Sequence, residues 1–127
     1  DAASDGWIHF LSSRPEEEHH QVALAPGRDV PPGAKLMQQV SFIVEDVKAL
    51  KEYYQRLKQE GVRIERTVSH GISMSLYCYD PDDNRIELYA KMPYKTPYSV
   101  PQPFSEPIDL DLPEEELLAV AGRAGKS

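Results

Sequence analysis

Residues 36–44 (LMQQVSFIV) alternate as a strand does, with successive side chains facing opposite ways. Leu36, Gln38, Val40, Phe42 and Val44 share one face, and Met37, Gln39, Ser41 and Ile43 the other. Both faces carry apolar residues, which predicts a strand covered on both sides. From 46 to 60 the period lengthens. Val47, Leu50, Tyr54 and Leu57 recur at spacings of three and four, the apolar stripe of a helix. The Asp46 carboxylate can cap its first turn, and Gly61 supplies the left-handed residue that ends it.

Three further strands are predicted. Over 62–68, Val62, Ile64 and Arg66 oppose Arg63, Glu65 and Thr67. Over 72–79, Met74, Leu76 and Cys78 oppose Ser73, Ser75, Tyr77 and Tyr79. Over 85–90, Ile86, Leu88 and Ala90 oppose Arg85, Glu87 and Tyr89. Between the last two, Asp80 to Asn84 (DPDDN) is turn chemistry: proline presets one turn angle, and Asp and Asn tolerate left-handed geometry. Upstream, 7–11 (WIHFL) and 19–25 (HHQVALA) read as two strands of a hairpin joined through a polar turn. Residues 26–35 carry three prolines and two glycines and read as a linker.

The tail changes the picture of a simple domain. Six of the 11 prolines fall between Pro93 and Pro113, which predicts an extended, polyproline-like segment. It also carries Tyr94, Tyr98, Val100, Phe104, Ile108, Leu110 and Leu112, anchors that a solvated linker does not need. The expected role is an arm across the domain or a neighbouring subunit. Pro113 then opens a short helix at its first position, from Glu114 to about Ala121, with three glutamates at the positive end of the helix dipole.

Composition mostly excludes. A length of 127 residues suits one domain. A net charge of −7 argues against a nucleic-acid binder, which needs a basic face for phosphates. No stretch approaches the ~20 apolar residues of a membrane span. One cysteine rules out a disulfide framework and a Cys-rich zinc site. No signal peptide, nucleophile elbow, P-loop or dinucleotide fingerprint is visible. A cytoplasmic enzyme or binding domain is expected.

Candidate chemistry lies on the second, polar face of the sheet: Gln39 and Ser41, Ser75 and Tyr77, and Arg85, Glu87 and Tyr89. Such a face is either washed by water or lines a pocket. Glu87 is a candidate ligand or base, or simply a solvated partner of Arg85. Alternation points one of His19 and His20 inward without saying which, unless the pair lies in a surface turn. His70 stands at a strand–strand junction and also reads as a turn residue. Cys78 falls on the helix-facing side and reads as a core thiol rather than a nucleophile.

The run SLYCYDPDDNRIEL (75–88) resembles the strand–turn–strand of the vicinal oxygen chelate superfamily. That superfamily includes glyoxalase I, bleomycin-resistance proteins, methylmalonyl-CoA epimerase and type I extradiol dioxygenases. The likeness covers residues 7–92. It is closest to single-domain extradiol-dioxygenase-like proteins, through EHHQVAL (18–24), TVSHG (67–71) and the tail YSVPQPFSEPIDLDLPEEELL. The resemblance implies an α+β fold of βαβββ modules forming a curved mixed sheet, with the first module incomplete. Its divisions are 1–25, the last two strands of that module; 26–35, a linker; 36–92, a complete module; and 93–127, the proline-rich arm and helix. Roughly 30–45 residues are expected to precede Asp1 in the native polypeptide.

The resemblance also assigns roles. Glu87 falls on the carboxylate ligand of an Fe(II) held by two histidines and one glutamate. His20 and His70 fall on histidines that handle protons and oxygen, and Tyr77 on the residue that hydrogen-bonds the substrate. Gln39 stands where the strand's metal-binding histidine belongs, and Asp83 where the turn usually has glycine. Three functions follow. The first is a ring-cleaving extradiol catechol dioxygenase with a divalent metal, Fe(II) favoured. The second is a glyoxalase- or epimerase-like isomerase using Gln39 and Glu87 with Mn, Ni, Co or Zn. The third is a metal-free small-molecule-binding or assembly subunit. The expected partners are a small aromatic or oxygen-chelating substrate, and a second copy or another chain supplying the missing strand and helix.

Overall fold

Residues 9–17, 19–20, 22–24, 31–34, 37–92 and 105–121 are described in the computed structural model of the protein, which divides into two units, Asp1–Ala34 and Lys35–Ser127. In the first unit, strands β1 (His9–Leu11) and β2 (Val22–Leu24) form an antiparallel hairpin, with Phe10 opposite Ala23. The polar segment between them turns where the Glu17 amide donates to the Arg14 carbonyl at 2.9 Å. His19 and His20 precede β2 rather than belonging to it, and both are exposed. The expected linker lies largely outside the described residues.

The second unit contains strand β3 (Val40–Ile43), helix α1 (Val47–Gln59) and strands β4 (Ile64–Ser69), β5 (Ser73–Tyr79) and β6 (Arg85–Lys91), in the βαβββ order expected. A short strand β7 (Glu106–Pro107) and helix α2 (Glu114–Ala121) follow. The five strands form one mixed sheet in the order β3-β6-β5-β4-β7. β3 runs parallel to β6, and the other pairs are antiparallel. The α+β module implied by the resemblance is therefore present.

Local chemistry sets its boundaries. Asp46 caps α1, its carboxylate accepting from the Ala49 amide at 2.8 Å. Gly61 takes a φ of 70° immediately after the helix. In the DPDDN turn Asp83 adopts a φ of 65°, a conformation that Asp accepts in place of glycine. The Asp80 carboxylate accepts from the Asp82 and Asn84 amides and closes the turn.

The apolar stripe of α1 packs on one face of the sheet. Val47 and Leu50 meet Met74, Leu76, Ala90 and Met92, with Leu110 and Leu117 completing the core. Each fully buried aliphatic side chain contributes about 1.5–3 kcal/mol. The C-terminal segment thus helps to build the module. The Ile108 amide donates to Thr67, the Thr67 hydroxyl donates back to the Ile108 carbonyl at 2.5 Å, and Lys58 pairs with Asp111 at 2.8 Å. Residues 93–104 of the expected arm lie outside the described residues.

Three expectations need correction. β3 is not covered on both sides: it is an edge strand among the described residues, with Phe42 42% and Ile43 57% exposed. Its alternation fits a buried strand, but its place in the sheet is set by non-local pairing. Pro113 stands one position before the helix, its carbonyl accepting from the Glu116 and Leu117 amides. The alternation predicted for 62–68 breaks at a bulge between Ile64 and Arg66. Ile64 packs against the core, whereas Glu65 and Arg66 both reach partners on the polar face.

Candidate functional site

Strand register brings the site together. Ser41 on β3 lies opposite Glu87 on β6, Glu87 opposite Tyr77 on β5, and Tyr77 opposite Arg66 on β4. Side chains paired in this way share a face, so one row crosses four strands on the side away from α1. Within it Glu87 is only 9% exposed and Tyr77 5%.

Both oxygens of the Glu87 carboxylate are engaged. The Tyr77 hydroxyl donates to Oε1 at 2.8 Å. Ser41 Oγ and Gln39 Nε2 donate to Oε2 at 2.5 and 2.9 Å. His70, just past the end of β4, places Nε2 3.1 Å from the Tyr77 hydroxyl. Since the Tyr77 proton is directed at Glu87, this contact requires His70 to carry a proton on Nε2. Four of the five residues singled out from the sequence therefore form one chain: Gln39, Glu87, Tyr77 and His70.

Burial alone would raise the Glu87 pKa, but the hydroxyls of Ser41, Ser75 and Tyr77 together outweigh it and hold the carboxyl below its usual range. Ser75 Oγ is buried with no hydrogen-bond partner among the described residues, yet lies close enough to Glu87 to help lower its pKa. The Tyr77 hydroxyl is pushed above its usual value, first by burial and then by the Glu87 anion beside it. The pair is thus fixed as carboxylate and neutral phenol at neutral pH.

His20 belongs to the hairpin unit. There its Nδ1 lies 2.9 Å from His19 Nδ1, and both rings pack on Phe10 at 4.6–4.9 Å. Cys78 is buried, and desolvation followed by the Asp80 charge raises its thiol pKa, as suits a core position. Sequence reasoning placed Ser41 on the polar face without giving it a role, and it missed Arg66, whose position depends on the bulge. No sequence signal marks that bulge.

The donors at Glu87 do not by themselves make up an iron site of two imidazoles and one carboxylate. Its neighbours are an amide and two hydroxyls, and His70 reaches it only through Tyr77. Among the described residues no three His, Cys, Asp or Glu side chains gather as they would around a metal ion. Among them too, no helix is long and apolar enough to cross a membrane.

Two proteins of Rhodococcus globerulus resemble the chain. Biphenyl-2,3-diol 1,2-dioxygenase 2 is 39% identical over 77 residues, which are 58% of this chain and 40% of that protein. Biphenyl-2,3-diol 1,2-dioxygenase 3 is 36% identical over 84 residues, 62% of this chain and 43% of that protein. The match thus spans 40–43% of the length of these relatives. Among solved structures, the fosfomycin resistance protein FosX of Listeria monocytogenes aligns with a TM-score of 0.42 and 24% identity, over 54% of this chain and 55% of that one. A family model described as Glyoxalase/Bleomycin resistance protein/Dioxygenase superfamily matches residues 2–88, from the hairpin through the Glu87 strand. With the βαβββ module and the SLYCYDPDDNRIEL turn in place, the chain belongs to the glyoxalase/bleomycin resistance protein/dioxygenase superfamily.

Proposed function

We propose that this chain forms the diol-receiving part of a ring-cleaving, extradiol-type dioxygenase acting on a small aromatic with two adjacent hydroxyls. The observation that carries this reading is the His70–Tyr77–Glu87 chain on the polar face of the sheet, buried at Tyr77 and Glu87. Similarity to two biphenyl-2,3-diol 1,2-dioxygenases supports the substrate class. Glu87, kept ionised, orients the Tyr77 hydroxyl. Tyr77 accepts from a substrate hydroxyl, and His70, which carries a proton on Nε2, gives that proton up at the outer end of the chain. His20, in the hairpin unit, is proposed separately as a group able to exchange protons.

A divalent metal, Fe(II) first, belongs to this reading only if ligands beyond the described residues complete the site, since Glu87 and Gln39 supply two at most. β3 ends the sheet among the described residues, which supports a second copy or another chain that adds a strand and helix. A cytoplasmic location goes with the same proposal. One observation favours a second reading. Gln39 beside Glu87 is an oxygen-bearing ligand suited to harder ions, as in a glyoxalase- or epimerase-like isomerase using Mn, Ni, Co or Zn.

Metal analysis of the whole protein, followed by oxygen uptake with catechol after anaerobic loading with Fe(II), separates these readings. Stoichiometric iron with oxygen consumed and the ring opened is expected. Another bound metal without oxygen uptake contradicts the dioxygenase and supports the isomerase. No metal and no turnover overturns both and leaves a binding or assembly subunit.

A further inference from the structure

The cross-strand row does not stop at the hydrogen-bonded groups. Its fourth member is Arg66, opposite Tyr77. The Arg66 guanidinium carbon lies 5.0 Å from the centre of the Tyr77 ring, and that of Arg85 lies 4.5 Å from it. The two cations differ in what they hold. Arg85 is largely buried and donates to both oxygens of Glu65 at 2.7 and 3.0 Å. Glu65 also accepts from the Tyr79 hydroxyl, so both of its oxygens are engaged by groups other than Arg66. Arg66 approaches Glu65 only to 3.9 Å, beyond a hydrogen bond, and its side chain is 49% exposed.

The backbone itself presents Arg66. Without the bulge between Ile64 and Arg66, alternation would put Arg66 on the face of Ile64, against the core. Bulges recur beside functional sites because they re-aim a side chain in this way. The result is a guanidinium fork at the β4 end of a row that runs through Tyr77 and Glu87 to Ser41 on β3. Two strand spacings, about 10 Å between backbones, separate Arg66 from Glu87, with Tyr77 between them. That span suits an aromatic ring lying over Tyr77, its diol toward the Glu87 side and its anionic substituent at the arginine end. A planar guanidinium matches a carboxylate with two parallel hydrogen bonds.

We propose that Arg66 anchors an anionic substituent of the substrate, so that the site selects an aromatic diol bearing a carboxylate. This rests on the diol-binding reading above and names its substrate class. The bulge fixes the selectivity, and Tyr77 forms the floor between the two ends.

Calorimetry on the whole protein under nitrogen, where no ring is cleaved, compares 3,4-dihydroxybenzoate with catechol. The carboxylate-bearing diol is expected to bind at least about tenfold tighter, the scale of one charge-assisted bidentate contact. Arg66→Met, which keeps a long apolar stem, should abolish that ratio, and Arg66→Lys should retain part of it. Arg66→Gln gives the same readout if the methionine variant does not fold. Equal affinities in the native protein, a preference that survives removal of the charge, or binding of neither probe overturns the proposal. Oxygen uptake with both diols and no preference removes the role of Arg66 and leaves the dioxygenase reading. A preference without oxygen uptake from either diol does the reverse.

Discussion

Along β5, neighbouring residues face opposite ways with opposite chemistry. Met74 and Leu76 pack under α1 and α2 at 0% exposure. Ser75 and Tyr77, on the far side, are nearly as inaccessible at 0% and 5%. Burying apolar side chains is favourable by itself. Burying Glu87 and Tyr77 is not, and it is tolerated because every oxygen of the pair has a hydrogen-bond partner. Equal burial on the two faces therefore has two meanings: one holds the module together, and the other holds a charge in place.

If the two faces are independent in this sense, substitutions on each should separate stability from chemistry. The largest stability effect belongs to the helix side. Leu76→Ala should cost about 2–5 kcal/mol in denaturant unfolding, as large-to-small core changes do, while the folded fraction keeps its binding properties. Loss of ligand binding in the still-folded variant would break the comparison.

On the polar side, Glu87→Gln should cost less, about 1–3 kcal/mol for hydroxyls left without their anion. It should also change the pH dependence of stability. The Glu87 carboxyl is held below its ordinary value of 4.5 in the folded state. Its contribution is thus complete above pH 4.5 and is lost as the pH falls from there through the lowered folded value. Unfolding followed from pH 6 downward should show an acid limb shallower in Glu87→Gln than in the native protein.

Tyr77→Phe removes one donor to Glu87 and should cost about 0.5–1.5 kcal/mol. It should move the Glu87 carboxyl back toward its ordinary value, which carboxyl-labelled NMR reads directly. Smallest among the helix-side effects, Asp46→Ala should lower stability by about 1 kcal/mol through the lost cap and leave the Glu87 titration untouched. A shifted Glu87 titration in that variant would show that the faces communicate through α1.

The legible parts of the sequence were those governed by neighbours in the chain. The stripe Val47, Leu50, Tyr54 and Leu57, its Asp46 cap and the DPDDN turn are local, and they appear as expected. β5 and β6 alternate without interruption, so Ser75, Tyr77 and Glu87 could be assigned to one face from their spacing. Gln39 and His70 lie just beyond the ends of β3 and β4, and it is parallel pairing with β6 and the chain's reversal after β4 that bring them to that face. The exposure of Phe42 and Ile43 could not be read, because whether a strand is central or at an edge depends on residues far away in the chain. Arg66 could not be placed either, because one extra residue at a bulge inverts the alternation behind it. The same inversion that hid Arg66 from pattern reading puts it in the row with Glu87.

The central claim is that Glu87 is buried on the polar face for chemistry rather than for stability. Turnover of catechol by the whole protein, native and Glu87→Gln, measured as oxygen uptake at a temperature where both are folded, tests it most directly. The account predicts oxygen uptake in the native protein and its loss in Glu87→Gln with the fold retained. Uptake by Glu87→Gln equal to that of the native protein would contradict it.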